Sequence, residues 1–421
     1  MLTATHHLAP LFHLFNPVIL QSAMSAPTPT PITQVNDSTA RPVSERDIIL
    51  YDFLLVRGGA EAVTLLLHDN TPDLDLGTAF INPDAFSDSE IASKHIQTLC
   101  KPTYLLGWQT IKTSFAFWWH RHRFSAYRTV VASGAYASLS LFGRDPASNL
   151  LYCHTPPRFA YDLKDHYLST IPRWKRPLLR LLIAGFRPLY QRSLEQVSVI
   201  LANSVNVQQR IKHYLGREAA VIYPPCNTDK YHWIDQGDYY LSTARIEPYK
   251  RVRLLVEAFK QMPDKKLVVA SGGSELAALR QHADGYDNIT FTGWCSDEQL
   301  QQLVGNCLAT LYLPVDEDFG MSPVESMAAG KPCIGVNEGG VKETVIDGKT
   351  GLLCPAQPTV SDVIAAVTTL TAEKALAMKS DCQQHAQQFA NAIFIQKMQQ
   401  ILQAPPEKRR ETAMGLCATR Q

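Results

Sequence analysis

The chain has 421 residues, of which 45% are hydrophobic and 19% charged; this is a globular composition, and the length predicts two or three domains. A formal net charge of +1 gives no overall attraction to nucleic acid or membrane, so a charged partner would have to meet a local patch. The nine scattered cysteines lack a C-x-x-C pair, which argues against a disulfide framework or a structural zinc site and for a reducing cytosol, and no apolar run has the roughly 18 residues of a transmembrane helix.

Residues 1–46 are predicted to form a disordered leader, because 25–46 are rich in proline, threonine and serine. The sequence does not decide whether Met1 or Met24 is the start. An N-terminal domain, 47–224, begins with an apolar strand at 47–56, a turn containing Gly58 and Gly59, and a helix. This order is typical of the opening of a Rossmann-like unit, although the G-x-G-x-x-G fingerprint is absent. The glycines either form a tight turn only or bring backbone N–H groups close to a phosphate or sugar.

Further strands of the N-terminal domain are predicted at 129–132, 150–153, 197–202 and 220–223. His154 directly follows one of them. Because the carboxyl ends of parallel strands face the ligand crevice, His154 is well placed for a ligand, but its position alone also fits a structural role. Pro224 and Pro225 then break the chain at the predicted domain boundary.

A second alternation of strands and helices fills a predicted C-terminal domain, 225–385, with strands at 239–242, 266–270, 289–292, 307–315 and 332–336. A helix at 386–403 is expected to pack back toward the N-terminal domain. The last segment, 404–421, is predicted to be a polar tail. The repeated βαβα order predicts an α/β protein of two Rossmann-like domains facing across a cleft.

An acidic loop, residues 316–320, separates the buried strand at 307–315 from a short helix. Ser322 is a good N-cap, Pro323 suits the first helical position, and Glu325 follows three residues after the cap. The first turn of such a helix presents backbone N–H groups to anions. Glu325 therefore either closes a capping box with Ser322 or serves a ligand at this helix start.

The sequence resembles glycosyltransferase family 4, whose members have the GT-B fold and retain anomeric configuration. The resemblance covers roughly 47–402 and extends to the branch that assembles bacterial polysaccharide and lipopolysaccharide, which includes many mannosyltransferases. The matching motifs are Gly58–Glu61, Cys153–Pro156 with Arg158 and Asp162, Ala202–Ser204, Ile222–Pro225, Arg245 with Lys250, Gly293, Glu317–Gly320, Pro323–Pro332, Gly339–Gly340 and Asp347–Gly348.

The resemblance implies a role for each matching residue. Glu317 would contact hydroxyls of the donor sugar and Glu325 the ribose, while Arg245 and Lys250 would hold the diphosphate. The catalytic candidates are His154 and Glu317, and the donor-binding candidates are Gly58, Gly59, Arg245, Lys250, Phe319, Gly320, Met321, Ser322 and Glu325. These residue types suit the chemistry, because cations and a helix N-terminus stabilise a departing diphosphate and carboxylates accept hydrogen bonds from sugar hydroxyls.

No metal or other cofactor is expected, because Arg245 and Lys250 already supply positive charge. Asp316 and Asp318 form a D-x-D pattern that chelates metal in a different glycosyltransferase fold, and here they are expected to be solvated carboxylates. The resemblance implies no covalent nucleophile, so His154 is expected to stabilise the sugar geometry.

Two basic segments with aromatic side chains, 111–128 and 171–192, suit an anionic membrane surface, and the alternative is helices that pack their apolar sides on the domain. The protein is predicted to be a hexosyltransferase that is cytoplasmic and peripherally bound to a membrane. Its predicted donor is a nucleotide sugar, with GDP-mannose the first candidate, and its predicted acceptor is a lipid-linked or surface glycan. Competing readings are a catalytically silent nucleotide-sugar-binding partner in a synthase complex and a GT-B nucleotide-sugar 2-epimerase. The sequence does not name the base, the sugar, the acceptor, the linkage or the oligomeric state.

Overall fold

The computed structural model describes residues 42–56, 58–102 and 108–417. Described residues up to 203, those at 207–222 and those from 397 onward form a first compact unit. Residues 204–206 and 223–396 form the second. Apart from the short excursion at 204–206, the chain changes unit at 222/223 and at 396/397. The boundaries expected from sequence lie at 224/225 and 385/386. The predicted leader falls almost entirely outside the described residues.

The first unit is built on a parallel sheet in the order β3-β2-β1-β4-β5-β6-β7. Its strands are β1 Asp47–Tyr51, β2 Leu74–Thr78, β3 Gln97–Thr98, β4 Thr129–Ser133, β5 Asn149–Cys153, β6 Val199–Ala202 and β7 Ala220–Val221. The helices of this part of the chain are α1 Gly59–Asn70, α2 Asp88–Ser93, α3 Trp108–His120, α4 Lys164–Thr170, α5 Arg176–Glu195 and α6 Val205–Leu215.

The central strands β1, β4 and β5 are buried along their whole length. Nearly continuous apolar runs are what a parallel sheet with helices over it requires, which is why sequence reasoning finds these strands. It misses β2, where Asp75 and Gly77 interrupt the apolar run, and β3, which has only two residues.

The second unit has a parallel sheet in the order β10-β9-β8-β11-β12-β13. Its strands are β8 Tyr239–Ser242, β9 Lys266–Val269, β10 Ile289–Phe291, β11 Ala309–Leu311, β12 Cys333–Val336 and β13 Gly351–Cys354. Its helices are α7 Val252–Lys260, α8 Leu276–His282, α9 Asp297–Asn306, α10 Met321–Ala328, α11 Val341–Thr344, α12 Val360–Thr369, α13 Ala372–Ala377 and α14 Lys379–Ala386.

The chain ends in two more helices, α15 Asn391–Gln403 and α16 Arg409–Gly415. The last residues of α15 belong to the first unit, where the Gln399 side chain donates to the Asn70 carbonyl at 2.7 Å. Helix α16 lies in the segment predicted to be a polar tail. Arg409 there is buried and donates to the Thr129 hydroxyl at 2.8 Å, so a charged residue that suggests a solvated tail instead anchors this helix on β4.

Among residues 42–56, 58–102 and 108–417, no helix is both long and apolar enough to cross a membrane.

Candidate functional site

The loops that follow β8, β11 and β12 lie side by side in the second unit, because these strands are neighbours in a parallel sheet. The loop after β8 carries Arg245 and Lys250, and the loop after β11 is the acidic loop with Glu317. In sheets of this kind ligands bind at the carboxyl ends of the strands. The topology therefore brings the predicted cations and the first glutamate to one edge of one sheet.

Lys250 and Glu317 form a partly buried ion pair at this edge. The ammonium of Lys250 lies 2.5 Å from a carboxylate oxygen of Glu317, and it also donates to the Tyr312 hydroxyl at 3.0 Å. Their side chains are 10% and 23% exposed, so the pair sits at the border of the core and the open edge. Burial and the neighbouring Glu317 carboxylate raise the pKa of Tyr312, so its phenol stays neutral and accepts from the lysine.

Arg245 is the exposed cation of the edge. No hydrogen bond or ion pair of its guanidinium to another described residue is found, although its charge acts on Tyr312. Its loop is fixed by Glu247, whose carboxylate accepts hydrogen bonds from the backbone N–H and the hydroxyl of Ser274 at 3.1 and 2.7 Å. An ordered loop thus presents a forked cation that is not engaged by the described residues.

The start of α10 differs from the prediction. The helix begins at Met321, its N-cap is Gly320 with φ +94°, and no side chain caps it. Ser322 is therefore the second helical residue, and the capping box of Ser322 with Glu325 is wrong. Glycine adopts this left-handed backbone without strain, so the chain enters the helix two residues earlier than a serine cap would allow. The N–H groups of Met321 and Ser322 in the first turn have no intrahelical acceptor.

Glu325 lies one turn into α10 and is partly buried. The Tyr231 hydroxyl hydrogen-bonds its carboxyl group, and Lys230, paired with Asp297 at 2.6 Å, is the nearby cation. Burial raises the pKa of Glu325 to about 7, with Asp297 raising it further and Lys230 and Tyr231 opposing the shift. Glu325 thus exchanges its proton near neutral pH, which an ordinary exposed glutamate does not.

Phe319 is a core residue. Its ring lies 5.5 Å from the ring centroids of both Tyr223 and Phe389 and is 3% exposed. Its side chain anchors the acidic loop, so a donor-binding role is left only to its main chain.

The acidic loop is held by residues that are not among the predicted site residues. Asn206 donates to the Glu317 carbonyl at 3.0 Å and to the Asp316 carboxylate at 3.3 Å, and Ser204 donates to the Asp318 carbonyl at 2.5 Å. The Glu343 carboxylate accepts from the backbone of Val205 and Asn206 at 2.7 and 2.6 Å. These contacts join segments more than 100 residues apart in the chain, so local pattern does not reveal them.

The glycines at 339 and 340 allow the loop after β12 to approach the acidic loop. A Cβ atom at Gly340 would lie 2.4 Å from the Phe319 Cα, and one at Gly339 would lie 2.6 Å from the Glu317 backbone. The Gly340 N–H donates to the Glu317 carbonyl at 2.7 Å. The glycine pair is the sequence signal for this close contact.

The acidic loop also contains backbone strain. Asp316 has φ +43°, an unusual value for a residue other than glycine. Its N–H donates to Glu338 at 2.8 Å, and Glu338 is paired with Arg251 at 3.1 Å. Since Asn206 also contacts the Asp316 carboxylate, this aspartate has a structural task at the loop. Among the described residues, no group of three or more histidine, cysteine or acidic side chains is arranged to hold a metal ion.

His154 and the glycine turn lie in the first unit, again at the carboxyl ends of strands. His154 follows β5, and its Nε2 lies 3.0 Å from the hydroxyl of Ser133 at the end of β4. The Ser133 hydroxyl is in turn 3.4 Å from the hydroxyl of Thr64 in α1. Burial between the rings of Tyr51 and Tyr152 lowers the pKa of His154 to about 4, so its imidazole is neutral at pH 7.

Gly58 is the N-cap of α1 and Gly59 its first residue. A Cβ atom at Gly58 would lie 2.6 Å from a carboxylate oxygen of Glu61, so the glycine leaves room for that side chain. This favours a packing reason for Gly58, while the helix start at Gly59 presents N–H groups like those of α10. The structure therefore gathers His154 with the glycines in one unit and the other predicted residues in the second.

Residues 227–389, most of the second unit, match the family model described as glycosyl transferases group 1. The comparisons support a glycosyltransferase. The alpha-1,3/1,6-mannosyltransferase ALG2 of Dictyostelium discoideum is 29% identical over 282 residues, which cover 56% of this chain and 65% of that protein. The human protein of the same name is 27% identical and covers 50% of this chain and 56% of its own length.

A bacterial relative, the N-acetyl-alpha-D-glucosaminyl L-malate synthase of Bacillus anthracis, is 31% identical over 30% of this chain and 34% of that protein. The chain thus spans less than two thirds of the length of each of these curated relatives.

Solved structures share the fold. HepE of Anabaena, whose crystals contained UDP and glucose, superposes with a TM-score of 0.63 at 18% identity, covering 83% of this chain and 97% of that one. WaaG, a glycosyltransferase involved in lipopolysaccharide biosynthesis, gives a TM-score of 0.64 at 11% identity, covering 85% and 100%. The predicted fold class, α/β with two Rossmann-like domains of the GT-B type, is confirmed.

Proposed function

We propose that this protein is a retaining glycosyltransferase of family 4 that transfers a hexose from a nucleoside diphosphate sugar to a hydroxyl group. The observation that carries the proposal is the composition of one sheet edge in the family-matching unit. There an unengaged Arg245, the Lys250–Glu317 pair and the uncapped first turn of α10 lie together.

Each component has a chemical task in this proposal. Arg245 and Lys250 bind the diphosphate, the arginine as a fork and the lysine as a point charge. The N–H groups of Met321 and Ser322 donate to phosphate or sugar oxygens, and the negative charge that develops on the leaving diphosphate is stabilised by groups that are already in place. Glu317 accepts hydrogen bonds from sugar hydroxyls and keeps Lys250 oriented.

The acid–base properties fit a reaction without a covalent intermediate. His154 is neutral at pH 7 and can donate or accept one hydrogen bond to a sugar hydroxyl, and we assign it no nucleophilic role. Glu325, once ionised, accepts hydrogen bonds from the ribose. The donor phosphate acts as the base in a front-side displacement, and no metal is required.

The best-supported sugar is mannose, because relatives over half of this chain are named mannosyltransferases. We therefore propose GDP-mannose as the donor and a lipid-linked or surface-glycan acceptor, used on the cytoplasmic side of a membrane.

A thermal-shift screen of GDP-mannose, UDP-glucose and their nucleoside diphosphates tests the donor site. We expect one nucleotide family to raise the unfolding temperature and Arg245→Met to abolish the shift. The unliganded unfolding temperature should not change, because no described residue pairs with this guanidinium. Lys374→Met, an exposed lysine on α13, is the matched control. A shift of equal size in Arg245→Met would contradict the proposed diphosphate site.

A further inference from the structure

Helix α3 exposes a stripe of large apolar side chains. Its exposed stripe consists of Trp108, Ile111, Phe115, Trp118 and Trp119, whose exposed fractions lie between 41% and 56%. Its buried side carries Ala116 and Phe117 together with the polar residues Gln109 and Thr113. The fold thus covers only part of the apolar surface of α3, and an exposed apolar stripe of this size needs a partner.

Helix α5 and the turn before it expose a second apolar stripe. Trp174, Leu178, Leu181 and Leu189 are 76%, 67%, 71% and 45% exposed. The opposite side of α5 carries Ile183, Phe186 and Tyr190, which are buried in the core of the first unit. Helix α5 therefore has two apolar sides, and only one of them is used by the fold.

The two stripes belong to neighbouring elements of the same unit. The Tyr136 hydroxyl lies 3.1 Å from Thr110 of α3, and the Tyr136 ring packs edge-on against Phe186 of α5 at 5.5 Å. Both helices also pack against residues 137–141. We call the exposed side chains of α3, of α5 and of the turn at 173–175 the α3–α5 face.

The charge of the α3–α5 face has one sign. No acidic residue occurs in 108–128 or in 171–192. The cations of these two segments that have no acidic partner among the described ion pairs are Lys112, Arg121, Arg123, Arg173, Lys175, Arg176, Arg180, Arg187 and Arg192. Arg121 lies 4.7 Å over the Trp118 ring and Lys175 lies 4.9 Å over the Trp174 ring, so cations and aromatic side chains share the same surface.

We propose that the α3–α5 face binds the surface of an anionic lipid bilayer, with the tryptophan, phenylalanine and leucine side chains inserted at the headgroup level. Indole rings favour this interfacial region, and arginine and lysine chains lie along apolar surface while their charges reach lipid phosphates. A second copy of the chain is a poorer partner, because a symmetric contact through this face would bring two sets of cations together. The proposal names the membrane partner of the proposed transferase, but lipid binding itself does not depend on the donor site.

Vesicle flotation with the full chain tests the proposal, using pure phosphatidylcholine and phosphatidylcholine with phosphatidylglycerol. We expect the wild type to float with the anionic vesicles and much less with the neutral ones. One variant carries three charge replacements, Arg173→Ser, Lys175→Ser and Arg176→Ser. Each cation removed near the membrane surface should weaken partitioning into anionic vesicles about fivefold, so the three together should weaken it roughly 100-fold.

A second variant, Leu178→Ser with Leu181→Ser, removes apolar contacts without removing charge and should also lose flotation. Leu376→Ser is the matched control, because Leu376 is an exposed leucine of the second unit at 50%. Arg173, Leu178 and Leu181 are exposed, whereas Lys175 and Arg176 are partly buried, so unfolding temperatures are measured to check that each variant is folded. The nucleotide-induced thermal shifts should stay at the wild-type values. These shifts separate a failure of the membrane proposal from a failure of the proposed donor site.

The proposal is overturned if the wild type does not float with anionic vesicles, or floats equally with neutral ones. It is also overturned if the charge and leucine variants float like the wild type. Sedimentation that shows a wild-type dimer dispersed by Leu178→Ser with Leu181→Ser would instead assign the face to self-association.

Discussion

Replacing Lys250 with methionine should separate the structural task of the Lys250–Glu317 pair from its proposed catalytic task. The variant leaves the Glu317 carboxylate without its cation, and it removes one partner of the Tyr312 hydroxyl. Breaking a fully buried ion pair costs about 3–5 kcal/mol. Because Glu317 is 23% exposed, solvent screening should reduce the cost to about 2–3 kcal/mol. For a unit of this size that corresponds to roughly 5–10 °C in unfolding temperature.

The double variant Lys250→Met with Glu317→Gln should recover most of this loss, because neither charge is then left unpaired. We expect it to come within about 1 kcal/mol of the wild type, the remainder being the lost hydrogen bond to Tyr312. Donor turnover should nevertheless remain at least 100-fold below the wild-type rate in both single variants and in the double variant, since both side chains are proposed to contact the donor.

The assay is a double-mutant cycle in urea, followed by fluorescence, with turnover of the nucleotide sugar measured on the same four proteins. Recovery of stability without recovery of turnover supports the reasoning. If the double variant regains turnover together with stability, the pair only holds the fold and the donor site lies elsewhere. If Lys250→Met is as stable as the wild type, the pair is not the buried contact described above.

Two further predictions concern the surroundings of this pair. Burial raises the pKa of Glu325 to about 7, so the protonated carboxyl stabilises the fold fully below about pH 4.5, and this stabilisation is lost as the pH rises through 7. The free energy of unfolding of Glu325→Gln should therefore rise by about 3 kcal/mol relative to that of the wild type between these pH values. Titration of GDP-mannose should show affinity rising from pH 6 to 8 in the wild type and a weaker, pH-independent affinity in Glu325→Gln; a pH-dependent variant would refute the ribose contact. For Asn206, which donates to the Glu317 carbonyl, Asn206→Ala should cost about 1 kcal/mol and lower kcat at least tenfold with little change in nucleotide affinity. Equal losses in kcat and affinity, measured by steady-state kinetics and calorimetry, would mean that Asn206 does not act by positioning the acidic loop.

Much of the framework is predictable from the sequence because it depends on local pattern. Apolar runs such as those of β1 and β5 predict buried strands. His154 and the acidic loop each follow a predicted strand, which places them at the sheet edge where ligands bind. The alternation of strands and helices is enough to indicate two Rossmann-like domains.

The start of α10 is not predictable in the same way. Ser322, Pro323 and Glu325 form a good local signal for a helix beginning at Pro323, yet the left-handed backbone of Gly320 begins the helix earlier. This glycine, the last residue of the acidic loop, packs against α11, where a Cβ atom would lie 3.4 Å from Val341. Tertiary packing thus overrides a favourable capping sequence.

The direction of a helix face also depends on tertiary structure. The sequence of α3 shows aromatic and basic residues, but it does not tell which side meets the core, and the buried side proves to include Gln109 and Thr113. Likewise Arg409 in a polar segment becomes buried because carbonyl and hydroxyl acceptors of the first unit meet its guanidinium. Such partners are far apart in the chain and leave no local signal.

The most direct test of the proposed function is the release of nucleoside diphosphate from a nucleotide sugar, followed by proton NMR with GDP-mannose and UDP-glucose as donors. We predict that the wild type releases the diphosphate from one of these donors and that the first-formed sugar product keeps the α-configuration. Glu317→Gln should reduce the rate at least 100-fold, whereas Lys374→Met should leave it unchanged. Release at the wild-type rate in Glu317→Gln, an inverted product, or binding of a donor without any turnover would contradict a retaining glycosyltransferase at this site.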